Sequence, residues 1–197
     1  MSRGDERLDQ SRLRAHLLFA RAFLKHPMML GACIPSSQAL VRKLSQQIDW
    51  ENTRVLVEYG PGVGTVTSAM LRRLRPDGVL IALDYNREFV AYLRRALPDP
   101  RLHLAHSSAA EIERVLCGAG LTCADCVVSG IPHSTLSPEL RARIVQNTRR
   151  VLRPGGSFIV YQFTASVLPH LQEVFGEVRQ ERELRNVLPA RIFCCSR

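Results

Sequence analysis

The sequence predicts an α/β fold: a doubly wound, mostly parallel sheet with helices on both faces. Three observations predict it. Short apolar runs alternate with helical stretches from residue 54 onward. A glycine-rich turn, Gly60-Pro-Gly62-Val-Gly64, directly follows the first of those runs. The 197 residues, 46% hydrophobic and 23% charged, suffice for one domain with a core and exclude a disordered chain.

The elements follow in order. Positions 8 to 25 lack Gly and Pro. Leu13, Leu17, Ala20 and Leu24 recur at i, i+4, i+7 and i+11, so they share one helix face. Arg7, Arg14, Arg21 and Lys25 line one edge, and the helix ends near His26-Pro27. A basic amphipathic helix of this kind suits an anionic membrane interface. The same stripe also suits docking on the helix's own domain. We divide the chain into this helix, residues 1–28, and a domain over residues 29–197.

Val55–Tyr59 reads as the first strand. The glycine turn leads into a helix over 63–75, and Pro76-Asp77-Gly78 turns the chain into a second strand, Val79–Asp84. A helix over 87–97, a strand over 101–106, a helix near 109–116 and a strand over 125–129 follow. Ser137-Pro138-Glu139 is a strong helix start: a cap, proline at the first helical position, then an acid. That helix runs to residue 152 and halts at Arg153-Pro154-Gly155-Gly156. A strand over 157–163, a helix over 168–175 and strands over 177–185 and 190–195 complete the chain. Strands joined by helices form a parallel sheet, and ligands bind beyond its carboxyl ends near the topological switch point.

The net charge of +9 calls for an anionic partner, either nucleic acid or an acidic membrane surface. No apolar run reaches spanning length, and the polar N-terminus carries no signal-peptide pattern. The chain is therefore expected to be cytoplasmic. The six cysteines read as free thiols. Cys123-Ala-Asp-Cys126 has metal-ligand spacing without a second pair, so it reads as small hydrophobes at a strand start, with no metal.

The glycine turn is GxGxG. A dinucleotide fingerprint would be GxGxxG, and Thr65 stands where its third small residue belongs. A P-loop would need Gly-Lys-Ser/Thr, which is missing. Glu58 precedes the first glycine by two residues, which suits a ligand bearing an ammonium group. Asp84 closes the second strand, where a carboxylate accepts hydrogen bonds from a ribose diol. The two acids and the turn together fit S-adenosylmethionine, with S-adenosylhomocysteine as product.

With these residues the sequence resembles the class I S-adenosylmethionine-dependent methyltransferases. The resemblance implies a Rossmann-like, seven-stranded sheet whose last strands form a hairpin. Four further stretches resemble bacterial phospholipid N-methyltransferases: "GACIPSSQALVRKL" before the first strand, "VVSGIPHSTLSPELR" after the fourth, "LRPGGSFIVYQFT" and "NVLPARIF". This resemblance implies methylation of the amine of phosphatidylethanolamine or its partly methylated forms, at an anionic membrane surface, by a peripherally associated enzyme. It places Glu58, Gly60, Gly62 and Gly64 at the methionine side of the cofactor, Asp84 on the ribose, and Tyr85, Ser108 and Ala109 around the adenine. Ser108 departs from the family's Asp, Asp84 from its more common Glu, and Tyr59 from a small aliphatic residue.

A rival resemblance is to rRNA adenine N6-methyltransferases, which share the glycine turn. Those enzymes carry Asn-Leu/Ile-Pro-Tyr/Phe after the fourth strand, to hold and stack the target base. This chain has Gly130-Ile131-Pro132-His133 there. A small-molecule amine is a third acceptor class. His133 is the candidate base, or else a wall of the pocket. Tyr161 could face a methylated ammonium through its ring, and Ser36 and Ser129 are candidate hydrogen-bonding partners of the cofactor or headgroup.

Overall fold

A computed structural model describes residues 36–186 and 188–197. The expected helix over 8–25 and the division at residue 28 lie outside the described residues. The first described element is a helix that the sequence reading did not separate, α1 (Gln38–Gln46). Ser37 caps it, its Oγ accepting from the Leu40 amide at 3.2 Å. Only Leu40 and Leu44 are fully buried along it.

The alternation then follows the sequence closely: β1 (Val55–Tyr59), α2 (Thr65–Arg73), β2 (Val79–Asp84), α3 (Arg87–Ala96), β3 (Leu102–His106), α4 (Ile112–Gly118), β4 (Ala124–Ser129), α5 (Pro138–Val151), β5 (Leu152–Gln162), α6 (Leu168–Phe175), β6 (Arg179–Glu183) and β7 (Ala190–Ser196). The seven strands form one sheet in the order β3-β2-β1-β4-β5-β7-β6. The order reverses between β1 and β4, which are parallel neighbours, so the switch point lies at their carboxyl ends. Strand β7 runs antiparallel to both β5 and β6. The carboxyl end of β6 and the β6–β7 turn therefore share an edge with the carboxyl ends of β1, β2, β4 and β5.

Alternate strand residues build two cores. Leu56, Leu80, Val128 and Ile159 pack with α1 and α2 on one face. Val57, Ile81, Val127 and Phe158 pack with α4, α5 and α6 on the other. Tyr59 belongs to this second core. It is fully buried, its hydroxyl lies 3.1 Å from Thr148 Oγ1 on α5, and its ring meets Phe158 edge-on. Its departure from a small aliphatic residue is thus a packing choice, tying β1 to α5 behind the glycine turn.

One boundary differs from the sequence reading. Helix α5 ends at Val151, and β5 begins at once with Leu152 paired to Ala124. The Pro154-Gly155-Gly156 stretch does not separate them. It sits inside the strand, where the register against β4 shifts between Ala124 and Cys126. The Gly155 amide finds its partner in the Arg197 carbonyl at 2.7 Å. The thiols also divide unexpectedly: Cys126 is buried as expected, whereas Cys123, placed just before the strand, is exposed. Among the described residues, no three metal-binding side chains come together, and no helix is long and apolar enough to cross a membrane.

Candidate active site

The glycine turn leaves β1 with Gly60, Gly62 and Gly64 all at positive φ. Two of them are also fixed by neighbours. A β-carbon on Gly60 would lie 2.8 Å from Ile131 Cγ2, and one on Gly64 would lie 2.5 Å from Leu93 Cδ2. Gly64 caps α2 in the left-handed conformation, so the helix N-terminus opens onto the turn.

Behind the turn stands Glu58, fully buried. Its Oε2 accepts from Thr67 Oγ1 at 2.6 Å, while its Oε1 is buried without a partner. Burial, with a smaller push from the charge of Asp84, raises its pKa to about 8. An acid held at this cost, with one oxygen unpaired, fits a site that takes a cation.

Asp84 accepts from the Gly62 amide at 3.1 Å and from the Asn86 amide at 2.8 Å. These bonds aim its carboxylate at the turn and tie the ends of β1 and β2 together. Burial raises its pKa, against the pull of both amides. Tyr85 follows, 83% exposed, its ring beside His106 with centroids 6.3 Å apart. Ser108 caps the short turn Ala109–Glu111, its Oγ accepting from the Ala110 amide at 3.2 Å, and Ala109 is buried beneath it. The hydroxyl proton of Ser108 remains available to a ligand. These side chains share the carboxyl edge, and their chemistry fits a ligand carrying an ammonium group and a ribose.

Beside the turn, at the ends of β4 and β5, lies a cavity of about 240 Å³. Its walls include Ser36, Gly130, Tyr161, Gln162, Asn186 and Leu188. Tyr161 shares the cavity wall with Ser36, and the charge of Glu58 reaches its phenol. Burial, more than that charge, pushes the phenol's pKa upward. Tyr161 thus stands between the buried acid and the cavity. The hydroxyl of Tyr161 takes the space where a β-carbon on Gly130 would stand. Gly130 itself is held to β1 by its amide, which donates to the Tyr59 carbonyl at 2.9 Å.

The two remaining predicted residues stand elsewhere. His133 is fully buried and does not line the cavity. Its Nε2 lies 3.3 Å from Ser129 Oγ, and its Nδ1 is buried without a partner. Burial, reinforced by Arg141 and His170, lowers its pKa to about 3. The sequence reading offers His133 as a base or as a wall of the pocket; the structure buries it behind that wall. Ser129, also fully buried, faces His133 and is not part of the cavity wall.

Sequence reasoning missed two residues. Gln162 lines the cavity with its Oε1 buried and unpartnered, and its Nε2 donates to the Thr164 carbonyl at 2.8 Å. The Gln-Phe-Thr motif was the signal, but spacing alone gave it no role. Arg141 donates to the carbonyls of His133, Leu136 and Ser166 at 2.9, 3.0 and 3.1 Å. It fastens the loop after β4 to the loop after β5, a tertiary task that no local pattern announces.

Residues 56–156 match the methyltransferase domain family. The chain is 30% identical over 185 residues to the ornithine lipid N-methyltransferase of Singulisphaera acidiphila, covering 93% of this chain and 96% of that protein. It is 34% identical over 126 residues to the ribosomal RNA small subunit methyltransferase A of Acidithiobacillus ferrooxidans, and there spans only 41% of the relative's length. In fold it is similar to the precorrin-6y C5,15-methyltransferase of Geobacter metallireducens, with TM-score 0.62 and 18% identity, over 82% of this chain and 89% of that one. It also superposes on PigF, solved with S-adenosylhomocysteine, with TM-score 0.60 and 14% identity, over 81% of this chain and 55% of that one. The chain therefore belongs to the methyltransferase domain family and is an S-adenosylmethionine-dependent methyltransferase of class I.

Proposed function

We propose that this enzyme methylates the primary or partly methylated amine of a membrane aminolipid, phosphatidylethanolamine above all, at an anionic bilayer surface. The likeness to the ornithine lipid enzyme carries the reading, because it runs nearly end to end through both chains. The cavity beside the glycine turn supports it, being open at the sheet edge and walled by both apolar and polar side chains.

The cofactor supplies an electrophilic sulfonium methyl. The leaving thioether is neutral, so no acid is required and positioning dominates catalysis. Within this reading Glu58 pairs with the cofactor's ammonium group and Asp84 with its ribose diol. Gly60, Gly62 and Gly64 let the backbone approach, and Tyr85, Ser108 and Ala109 surround the adenine. Ser36 and Tyr161 stand at the boundary with the acceptor, where the Tyr161 ring attracts an amine as it gains positive charge. His133 is buried behind the cavity wall, out of reach of an acceptor amine, and its lowered pKa makes it a weak proton acceptor, so it serves to hold the loop through Ser129. The acceptor amine then loses its proton to water.

The rRNA reading is favoured by the shared glycine turn. The loop after β4 opposes it. Gly130 offers no side-chain amide, and His133 is turned into the core, where it cannot stack on a base. The test is incubation of the full chain with labelled cofactor and, separately, phosphatidylethanolamine vesicles, ornithine lipid vesicles and unmodified 16S rRNA. Label in an aminolipid is expected. Label confined to rRNA overturns the reading.

A further inference from the structure

We infer that the carboxyl edge of the sheet, centred on the β6–β7 turn, is itself a membrane-seating rim. The inference rests on the aminolipid reading and adds a second contact to the basic helix expected over residues 8–25. Among the described residues, three large apolar side chains are exposed: Tyr85 at 83%, Leu184 at 71% and Leu188 at 41%. All three stand at one edge. Tyr85 follows the carboxyl end of β2, and Leu184 and Leu188 lie in the turn between β6 and β7. Leu188 also lines the cavity, so the apolar rim is continuous with its mouth.

Several arginines at the opposite edge are matched to acids. Arg54 and Arg75 meet Asp77 at 2.6 and 3.0 Å, Arg101 meets Asp99 at 2.7 Å, and Arg153 meets Asp125 at 2.5 Å. At the carboxyl edge Arg87, Arg182 and Arg185 are exposed, and none has an ion pair among the described residues. Glu183 accepts from the Arg185 backbone amide at 2.7 Å and makes no ion pair with its guanidinium. Exposed aliphatic and aromatic side chains interleaved with unpaired arginines match a surface with anionic headgroups over an acyl boundary. Tyr is also suited to the interface between water and lipid.

The turn is built to hold its shape under such contact. Asn186 is buried; its Oδ1 accepts from the Ser37 amide at 2.9 Å, and its Nδ2 donates to the Leu188 carbonyl at 3.0 Å. Lys43 on α1 donates to the Arg182 carbonyl at 2.6 Å. The turn is therefore tied to the first helix and to the cavity wall. Seating it on a bilayer sets the cavity mouth at headgroup level, where the amine lies.

The test uses the full chain with vesicles of phosphatidylcholine alone or mixed with phosphatidylglycerol, read by co-sedimentation. Leu184→Asp and Arg185→Glu should each weaken binding to the mixed vesicles by about tenfold or more. Arg149→Glu makes the same charge change as Arg185→Glu at the opposite edge and should weaken binding by less than about twofold. Calorimetry should give the same cofactor affinity for all three variants as for wild type. Unchanged vesicle binding in both rim variants, or an equal loss in Arg149→Glu, overturns the rim. A short-chain ethanolamine phospholipid, dissolved as monomers, separates the two claims. If it is methylated while the rim variants bind vesicles normally, the rim fails and the aminolipid reading stands. If neither it nor any aminolipid vesicle is methylated while the rim variants lose vesicle binding, the reading fails and the rim stands.

Discussion

Tyr161 and Gly130 exclude each other's space: a β-carbon on residue 130 would meet both the hydroxyl oxygen and Cζ of Tyr161 well inside 3.0 Å. The fork between β4 and β5 therefore admits a side chain from one strand only. Gly130→Ala should destabilise the fold by about 1–3 kcal/mol, the usual cost of overpacking a closed site. Tyr161→Leu in the same chain should recover most of that loss. Urea unfolding of the two single variants and the double variant measures the coupling; additive effects would refute the exclusion.

The proposed pairing of Glu58 with the cofactor's ammonium group makes cofactor binding depend on pH. Its carboxyl must lose a proton before it can pair with an ammonium group, and its pKa lies at about 8. Affinity for S-adenosylmethionine should rise above pH 6 as Glu58 ionises and fall again at higher pH as the cofactor's own ammonium group loses its proton. Glu58→Gln should bind about tenfold or more weakly at pH 8, through loss of a charge-assisted hydrogen bond, with a flatter profile. Isothermal calorimetry across this range reads both.

The same acid affects stability in the opposite sense. Its folded pKa of about 8 lies above the ordinary 4.5. Its stabilising contribution is thus fully present below pH 4.5 and is lost as pH rises through 8. Glu58→Gln should therefore raise the cofactor-free melting temperature at pH 9 relative to wild type. The remaining bond, from Thr67 to residue 58, can persist with an amide oxygen. A lowered melting temperature would contradict the cost assigned to the buried charge.

His133 has the reverse linkage. Its folded pKa of about 3 lies below the ordinary 6.5, so its stability contribution is present above pH 6.5 and is lost as pH falls through 3. His133→Gln should flatten the acid limb of the stability curve. It should leave the shape of the pH–rate profile for methyl transfer unchanged. A profile that loses a limb in His133→Gln would restore the histidine as a base.

Tyr59 should matter to the core and not to the cofactor. Tyr59→Phe removes the contact with Thr148, whose own hydroxyl still donates to the Ile144 carbonyl at 2.7 Å. The expected loss is about 1 kcal/mol in urea unfolding. Cofactor affinity should be unchanged by calorimetry.

These cases show what the sequence made legible. Strands β1, β2 and β4 announced themselves because they are buried on both faces and read as unbroken apolar runs. The glycine turn was legible because Gly60, Gly62 and Gly64 all take positive φ, which other residues rarely adopt. Helix α1 was missed because just two fully buried leucines mark its inner face. Tyr59 and His133 were illegible for a shared reason. Neither a phenol nor an imidazole beside a ligand turn declares its direction, and only tertiary packing turns Tyr59 toward α5 and His133 toward Ser129. Gln162 was quoted within a motif, but an unpaired amide oxygen is a property of the folded neighbourhood.

Strand β6 ends the sheet with Arg179, Gln180, Glu181, Arg182 and Glu183. An open strand edge of alternating charge is a poor template for another chain. Arg179 and Glu181 pair with one another, and Lys43 reaches Glu181 at 3.6 Å. Concentrating many copies on a two-dimensional surface would invite edge-to-edge strand pairing. The charged flank discourages it, so copies gathered on a surface, as the aminolipid proposal requires, would stay separate.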